Sequence, residues 1–145
     1  MGDILSCRTD AGVKAKERIL CIDDDPETCA LLSDLLGAAG YDVVAVYDAE
    51  DGLRNARQGG FFAIVLDTWI PGTCGIEICR SIKSFDTGTP IVFLSAATES
   101  GESDEAIAAG AEAYFAKPLG VLDLRAYLHG LARNTGGGAG MAARP

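Results

Sequence analysis

Five short apolar segments alternate with segments of helical periodicity along the chain, and this alternation constrains the fold more than any other feature. The apolar segments lie at residues 18–22, 42–47, 63–66, 91–94 and 113–116. After each of them, apolar residues recur at the spacing of an amphipathic helix. Strands that are apolar on both faces are typical of a parallel sheet with helices packed on each side. The sequence therefore predicts an α/β fold with five strands and five helices.

Local signals mark the ends of the first predicted helix and of the folded region. Asp25 suits an N-cap, Pro26 suits the first helical position, and Gly40 suits the C-terminal cap. The last segment, NTGGGAGMAARP, is rich in glycine, and such segments behave as flexible chains. We expect a flexible extension over residues 1–17, one domain over residues 18–133 and a flexible tail over residues 134–145.

The predicted topology brings distant parts of the sequence to one edge of the sheet. Right-handed crossovers limit the fold to a few doubly wound arrangements, and in the order 2-1-3-4-5 the first and third strands are neighbours. Ligands of such sheets bind beyond the carboxyl ends of the strands, near the point where strand order reverses. The residues at these ends are polar: Asp23, Asp24 and Asp25 on the first strand, Asp67 on the third, Ser95 on the fourth and Lys117 on the fifth.

Three of these carboxylates predict a metal site. Asp25 is accounted for as a helix cap, which leaves Asp23, Asp24 and Asp67. Like charges held close together raise one another's pKa unless a cation neutralises them. Oxygen ligands of this kind suit a hard divalent ion, and Mg²⁺ in particular retains waters and shares phosphate oxygens. The cluster therefore predicts Mg²⁺ beside a phosphoryl group.

Four segments resemble the signatures of response-regulator receiver domains, in the same order and at proper spacing. They are ILCIDDDPET, IVLDTWIPGTCG, IVFLSA and AGAEAYFAKPL, and the resemblance covers about residues 18–133. It implies the flavodoxin-like (βα)5 receiver fold, a doubly wound five-stranded parallel sheet of order 2-1-3-4-5. It also implies that Asp67 is the phosphoacceptor. Asp23 and Asp24 would hold Mg²⁺ together with Asp67 and the backbone carbonyl of Trp69.

The resemblance implies further roles around the phosphoacceptor. Ser95 would hydrogen-bond the phosphoryl oxygens, and Lys117 would pair with them. Tyr114 occupies the position of the family's switch aromatic, which would rotate from an exposed to a buried rotamer when Ser95 moves. This switch would remodel the surface of the fourth helix, fifth strand and fifth helix. Trp69 and Ala97 occupy positions that tune the kinetics of the phosphoryl group.

By this resemblance the chain is a phosphoacceptor signalling protein, which catalyses only its own phosphotransfer and dephosphorylation. A histidine kinase or phosphotransfer protein would supply the phosphoryl group, and a downstream protein or a second copy would recognise the switched surface. Two alternatives stay open: a phosphate shuttle or sink in a phosphorelay, and a degenerate receiver that acts as an unphosphorylated interaction module. No output segment follows Arg133, as expected of a stand-alone receiver and equally of a fragment of a longer regulator.

Two other classes fit the same residues less well. A haloacid-dehalogenase-type phosphatase also uses a strand-end aspartate nucleophile, but it needs a second acid two residues later, where this chain has Trp69. A flavin-binding module would need a phosphate loop rich in serine, threonine and glycine after the first strand. The acids at residues 23–25 would instead repel a phosphate.

Composition limits the expected partners. The formal net charge is −9 at pH 7, whereas binding to a nucleic-acid backbone requires a basic surface. We therefore expect no direct contact with nucleic acid. The sequence contains no signal peptide and no apolar segment long enough to span a membrane. We accordingly expect a cytoplasmic protein without a membrane partner.

Overall fold

A computed structural model of the chain describes residues 16–96, 101–118 and 120–137, and strands alternate with helices throughout these ranges. The strands are β1 (Glu17–Ile22), β2 (Tyr41–Val46), β3 (Ala63–Leu66), β4 (Trp69–Ile70), β5 (Thr73–Cys74), β6 (Ile91–Ser95) and β7 (Ala113–Ala116). The helices are α1 (Pro26–Ala38), α2 (Ala49–Gln58), α3 (Gly75–Lys83), α4 (Glu102–Ala108) and α5 (Gly120–Gly137).

Five of the strands form one parallel sheet, in the order β2-β1-β3-β6-β7. This is the predicted 2-1-3-4-5 order once the two short strands β4 and β5 are set aside, and the predicted fold class is confirmed. β4 and β5 form a separate antiparallel pair that the sequence analysis did not predict. Gly72, between these two strands, has a φ of +86°, a conformation that glycine adopts without steric cost.

Two hydrophobic cores lie on opposite faces of the sheet. Successive strand residues alternate between them: Leu20 of β1 packs in one core and Ile19 in the other. Helices α2, α3 and α4 contribute to the core on the Leu20 face, and α1 and α5 contribute to the core on the Ile19 face. Because both faces are covered, the strands need apolar residues at consecutive positions, which explains the unbroken apolar runs in the sequence.

The ends of the domain differ slightly from the predicted boundaries. β1 begins at Glu17, inside the predicted extension, and α5 continues to Gly137, past the predicted domain end at residue 133. Glycine disfavours a helix without forbidding it, so composition alone places this helix end too early. Residues 1–15 and 138–145 lie outside the described residues, and the flexibility expected of them stays a prediction.

The backbone ladder continues one residue beyond several strands and so positions the residues that follow. The N–H of Asp23 donates to Val46 O at 3.1 Å, and that of Asp67 donates to Ile22 O at 3.0 Å. The N–H of Lys117 donates to the carbonyl oxygen of Ser95 at 2.9 Å. Three of the predicted site residues, Asp23, Asp67 and Lys117, are therefore held by the sheet itself.

Leu124 and Leu122 of α5 provide a matched test of the core on the Ile19 face. Leu124 is 0% exposed, whereas Leu122 is 56% exposed. We expect Leu124→Ala to lower the free energy of unfolding by about 2–5 kcal/mol, because it removes a buried side chain and leaves a cavity. Leu122→Ala should change it by less than about 0.5 kcal/mol. Urea denaturation measures both values, and equal losses in the two variants would contradict this packing of α5.

Candidate functional site

Three carboxylates converge at the carboxyl edge of the sheet. Single carboxylate oxygens of Asp23, Asp24 and Asp67 all lie within 4.8 Å of one another. Asp23 and Asp67 are buried, with 2% and 7% of their surface exposed, while Asp24 is exposed. The structure thus brings together the three acids that the sequence analysis singled out, and this set could hold a metal ion.

The loop between β1 and α1 holds Asp23 in place from several sides. Asp23 Oδ1 accepts a 2.9 Å hydrogen bond from the backbone N–H of Asp25. The thiol of Cys29 lies 3.5 Å from the backbone carbonyl oxygen of Asp23 and donates to it. Asp25 itself caps α1, because its carboxylate accepts from the N–H of Glu27 and from the hydroxyl of Thr28. The assignment of Asp25 as a helix cap is therefore confirmed.

Lys117 supplies positive charge to the carboxylates. Its Nζ donates to Asp23 Oδ2 at 3.0 Å and lies 3.9 Å from Asp67 Oδ2. Burial opposes the charged ammonium, but the hydrogen bond to Asp23 and the charges of both carboxylates outweigh it and raise the pKa of Lys117. The lysine therefore stays protonated at neutral pH and interacts with two of the three acids.

The surroundings of Asp67 destabilise its ionised form. Burial and the nearby charge of Asp23 raise its pKa from 3.8 to about 6, although Lys117 and the backbone N–H groups of Trp69 and Thr68 act in the opposite direction. One lysine does not fully compensate these acids. A divalent cation beside Asp67 would stabilise the charged carboxylate further.

A close backbone contact positions the segment that follows Asp67. The N–H of Gly75 donates to the carbonyl oxygen of Thr68 at 2.6 Å. A Cβ atom at Gly75 would overlap the carbonyl oxygen of Asp67 and approach the ring of Phe93. Only glycine allows α3 to begin so close to the backbone of Asp67. The sequence analysis missed this role, since a lone glycine before a helix resembles any turn residue.

The structure also describes Ser95, Trp69 and Tyr114, which were predicted to act together with Asp67. Ser95, at the end of β6, is completely buried, and Trp69 is 59% exposed. The ring of Tyr114 stacks on Phe93 with centroids 6.1 Å apart, and its hydroxyl donates to Glu102 Oε1 at 2.6 Å. Tyr114 is thus half-buried and hydrogen-bonded, and its predicted rotation stays a prediction.

Two predicted features fall in a part of the chain that the structure leaves undescribed. Ala97, predicted to tune kinetics, and residues 98–100, at the start of the predicted switch surface, lie outside the described residues. Glu102, which follows them, is a residue of this region that the sequence analysis missed. Nothing in the sequence distinguishes it from its exposed acidic neighbours on α4.

The fold and the acidic cluster together define an α/β protein with a charged pocket at the carboxyl edge of a doubly wound sheet. The family model described as "Response regulator receiver domain" matches residues 19–129. The chain belongs to this family, as its four motifs predict.

Relatives with known names agree with this membership. The chain is 34% identical to "DNA-binding response regulator MtrA" of Mycolicibacterium smegmatis over 104 residues, which is 72% of this chain and 45% of that protein. It is 32% identical to "Transcriptional regulatory protein PrrA" of Mycobacterium leprae over 127 residues, 88% of this chain and 54% of that protein. The chain therefore spans about half the length of these curated relatives.

Solved structures share the fold over nearly their whole length. A CheY-like receiver domain protein from Methanospirillum hungatei has a TM-score of 0.77 and 25% identity, covering 85% of this chain and 99% of that one. The response regulator TrrA from Thermotoga maritima, solved in complex with Mg²⁺-BeF, has a TM-score of 0.72 and 28% identity and covers 79% and 98% of the two chains. Within the described part of the present chain, no helix is both long and apolar enough to cross a membrane.

The raised pKa of Asp67 predicts a pH-dependent gain in stability for Asp67→Asn in EDTA. Between pH 3.8 and about 6 the folded protein binds a proton at Asp67 that the unfolded chain releases, so wild-type stability falls as pH rises through this window. Above pH 7 we expect Asp67→Asn to be more stable than wild type by about 1–2 kcal/mol. A shift of the Asp67 pKa from 3.8 to about 6 is equivalent to roughly 3 kcal/mol. The expected gain is smaller, because solvent screens part of the repulsion between the carboxylates.

The comparison is made by urea denaturation at pH 8 and pH 4. The difference should disappear at pH 4, where the wild-type carboxyl group is protonated in the folded state. Asp123→Asn, at an exposed acid of α5, serves as the control and should change stability little at either pH. Equal stability of Asp67→Asn and wild type at pH 8 would show that the Asp67 carboxylate is not destabilised in the folded protein.

Proposed function

We propose that this chain is a phosphoacceptor receiver that takes a phosphoryl group from a phosphohistidine onto Asp67 in the presence of Mg²⁺. The observation that carries the proposal is the convergence of Asp23, Asp24 and Asp67 beside the ammonium of Lys117. An acidic pocket with one lysine suits a phosphoryl group only when a cation is present, and the family membership of the chain agrees with that chemistry.

The donor set fits Mg²⁺. All three side chains offer hard oxygen ligands within 4.8 Å of one another, and Mg²⁺ is bound by a few carboxylates together with waters and phosphate oxygens. The backbone carbonyl of Trp69 would add a further oxygen. Bound there, Mg²⁺ would neutralise charge on the carboxylates and on the phosphoryl oxygens. The complex of the Thermotoga relative with Mg²⁺-BeF supports this choice of ion.

Asp67 is the nucleophile in the proposed transfer. A carboxylate oxygen of Asp67 attacks the phosphorus atom, the bond from phosphorus to the imidazole nitrogen breaks, and the products are an acyl phosphate and a free histidine. Lys117 stabilises the charge on the transferring group, because its Nζ is already 3.9 Å from Asp67 Oδ2. The Ser95 hydroxyl hydrogen-bonds a phosphoryl oxygen once the group is in place.

This chemistry makes the chain a signalling protein rather than an enzyme for other substrates. It would catalyse only its own phosphorylation and dephosphorylation. Trp69 and Ala97 would influence how long the acyl phosphate survives, since they come two residues after Asp67 and Ser95 in the sequence.

The proposed partners lie on two surfaces. A histidine kinase or phosphotransfer protein would dock on α1 and the loop after β7, which flank Asp67. A downstream protein or a second copy would recognise the surface formed by α4, β7 and α5. The name of the Mycolicibacterium relative describes a DNA-binding protein, but the net charge of −9 argues against direct nucleic-acid binding by this chain. A shuttle or sink in a phosphorelay, and an unphosphorylated interaction module, are the alternative functions.

The phosphoacceptor is tested by labelling with acetyl phosphate. Wild type should gain a phosphoryl group that depends on Mg²⁺ and is lost in EDTA, as measured by intact mass. Asp67→Asn should gain none. Asp48→Asn is the matched control, because Asp48 also follows a strand but caps α2, and asparagine is an equally good cap. Labelling that survives in Asp67→Asn would place the acceptor elsewhere.

Substitutions of a proposed Mg²⁺ ligand and of Lys117 should have different effects on Mg²⁺ affinity. Trp69 is the only tryptophan in the sequence, so Mg²⁺ titrations can be followed by its fluorescence. We expect Asp23→Asn to weaken Mg²⁺ binding by about tenfold or more, since even the outer shell of a metal site contributes that much. Lys117→Ala should retain Mg²⁺ binding and lose the conformational response to phosphorylation. Unchanged Mg²⁺ affinity in Asp23→Asn would contradict the assigned metal ligands.

A further inference from the structure

Glu102 is buried although nothing in its sequence context requires it. It is the first residue of α4 and only 7% exposed, whereas Asp104 and Glu105 of the same helix are exposed. Acids in the first turn of a helix are stabilised by the helix dipole whether or not they are buried. Because glutamate is rarely buried without a partner, the explanation lies in what its side chain contacts.

The contact is with the hydroxyl of Tyr114. Tyr114 donates to Glu102 Oε1 at 2.6 Å, a short O–H···O hydrogen bond. Burial raises the pKa of the Tyr114 hydroxyl, the hydrogen bond to Glu102 raises it further, and Ser95 and Thr68 act in the opposite direction. The tyrosine oxygen therefore lies between α4 on one side and the ends of β3 and β6 on the other.

Thr68 adds an independent observation on the same spot. It follows Asp67 directly and is 3% exposed. Its Oγ1 is the one buried side-chain nitrogen or oxygen among the described residues that lacks a hydrogen-bond partner. Such a group costs free energy and calls for an explanation. The Thr68 hydroxyl also lowers the pKa of the Tyr114 hydroxyl, so it lies close to the tyrosine oxygen that Glu102 holds.

We propose that Glu102 is the positioning residue for Tyr114, holding its hydroxyl in the half-buried arrangement against Ser95 and Thr68 and so coupling α4 to the phosphoryl site. The inference rests on the proposed function, since it specifies how phosphorylation at Asp67 is transmitted. Ser95 is the residue that a phosphoryl group on Asp67 would engage. Glu102 stabilises the arrangement in which the Tyr114 hydroxyl lies beside Ser95. The contact between Ser95 and the phosphoryl group would stabilise the same arrangement. Removing Glu102 should therefore weaken binding of a phosphoryl mimic.

Glu102→Ala and Glu102→Gln separate this role from a purely structural one. The alanine variant removes the acceptor, and the glutamine variant keeps an acceptor oxygen without the charge. Glu105→Gln, on the exposed side of α4, is the matched control. Beryllofluoride affinity in Mg²⁺, followed by Trp69 fluorescence, should fall about fivefold in Glu102→Ala, the low end of usual allosteric coupling. It should fall less in Glu102→Gln and not change in Glu105→Gln.

A double-mutant cycle with Tyr114→Phe tests whether the two residues act as a pair. Tyr114→Phe keeps the stacked ring and removes the hydroxyl. If Glu102 acts through that hydroxyl, Glu102→Ala should weaken beryllofluoride binding no further in the Tyr114→Phe background. Additive losses, or wild-type affinity in a folded Glu102→Ala protein, would overturn the proposal. Should Glu102→Ala fail to fold, Glu102→Gln decides the question by the same criteria.

A spectroscopic measurement distinguishes failure of the proposed role of Glu102 from failure of the proposed function. In protein carrying ¹³C at tyrosine Cζ, the Tyr114 signal, assigned by its loss in Tyr114→Phe, should titrate at lower pH in Glu102→Gln than in wild type. An unchanged titration would show that Glu102 does not hold the hydroxyl. If wild type itself does not bind beryllofluoride, or binds it equally in Asp67→Asn, the proposed function and the coupling fail together. The titration then still decides whether Glu102 positions Tyr114.

Discussion

The parallel pairing of β1 with β3 places Asp23 beside Asp67, and the rest of the site depends on this placement. Ile22 is in register with Leu66, so the residue after each strand emerges at the same edge. Burial of Asp67 and the charge of Asp23 beside it raise the pKa of Asp67 to about 6. The site must therefore contain positive charge, and the fold has to deliver it from elsewhere in the chain.

Lys117 delivers that charge from the far side of the sheet. It lies 94 residues from Asp23 in the sequence, and only the pairing of β3 with β6 and of β6 with β7 brings it within 3.0 Å. One ammonium against three carboxylates leaves a net negative pocket, which a divalent cation suits. Because sheet hydrogen bonds hold Asp23, Asp67 and Lys117, little reorganisation would be needed when a phosphoryl group arrives.

The same sheet connects the pocket to a distant surface. Tyr114 lies on β7, its ring stacks on Phe93 of β6, and its hydroxyl reaches Glu102 on α4. A rearrangement at Ser95, the last residue of β6, would thus be transmitted to α4 through the side chains of Tyr114 and Glu102. A switch of this kind needs contacts that differ between two arrangements. The Thr68 hydroxyl beside Tyr114 lacks a hydrogen-bond partner in this one and would gain one if the other arrangement supplied it.

The sequence alone determined the strand and helix alternation and the members of the acidic cluster through local signals: apolar runs predict strands, and a charged residue immediately after a buried run predicts a site at the sheet edge. The strand order followed from the resemblance of its four motifs to receiver domains. Asp25 and Pro26 likewise signal the start of α1 through their own backbone chemistry. Only the tertiary structure decided the β4–β5 pair, the approach of Gly75 to Asp67 and the burial of Glu102. A two-residue strand has no periodicity, and a glycine or an acid at a helix start looks the same in sequence whether it faces solvent or another element. What distinguishes them is a contact with residues far along the chain, which is formed only when the sheet and its helices are packed.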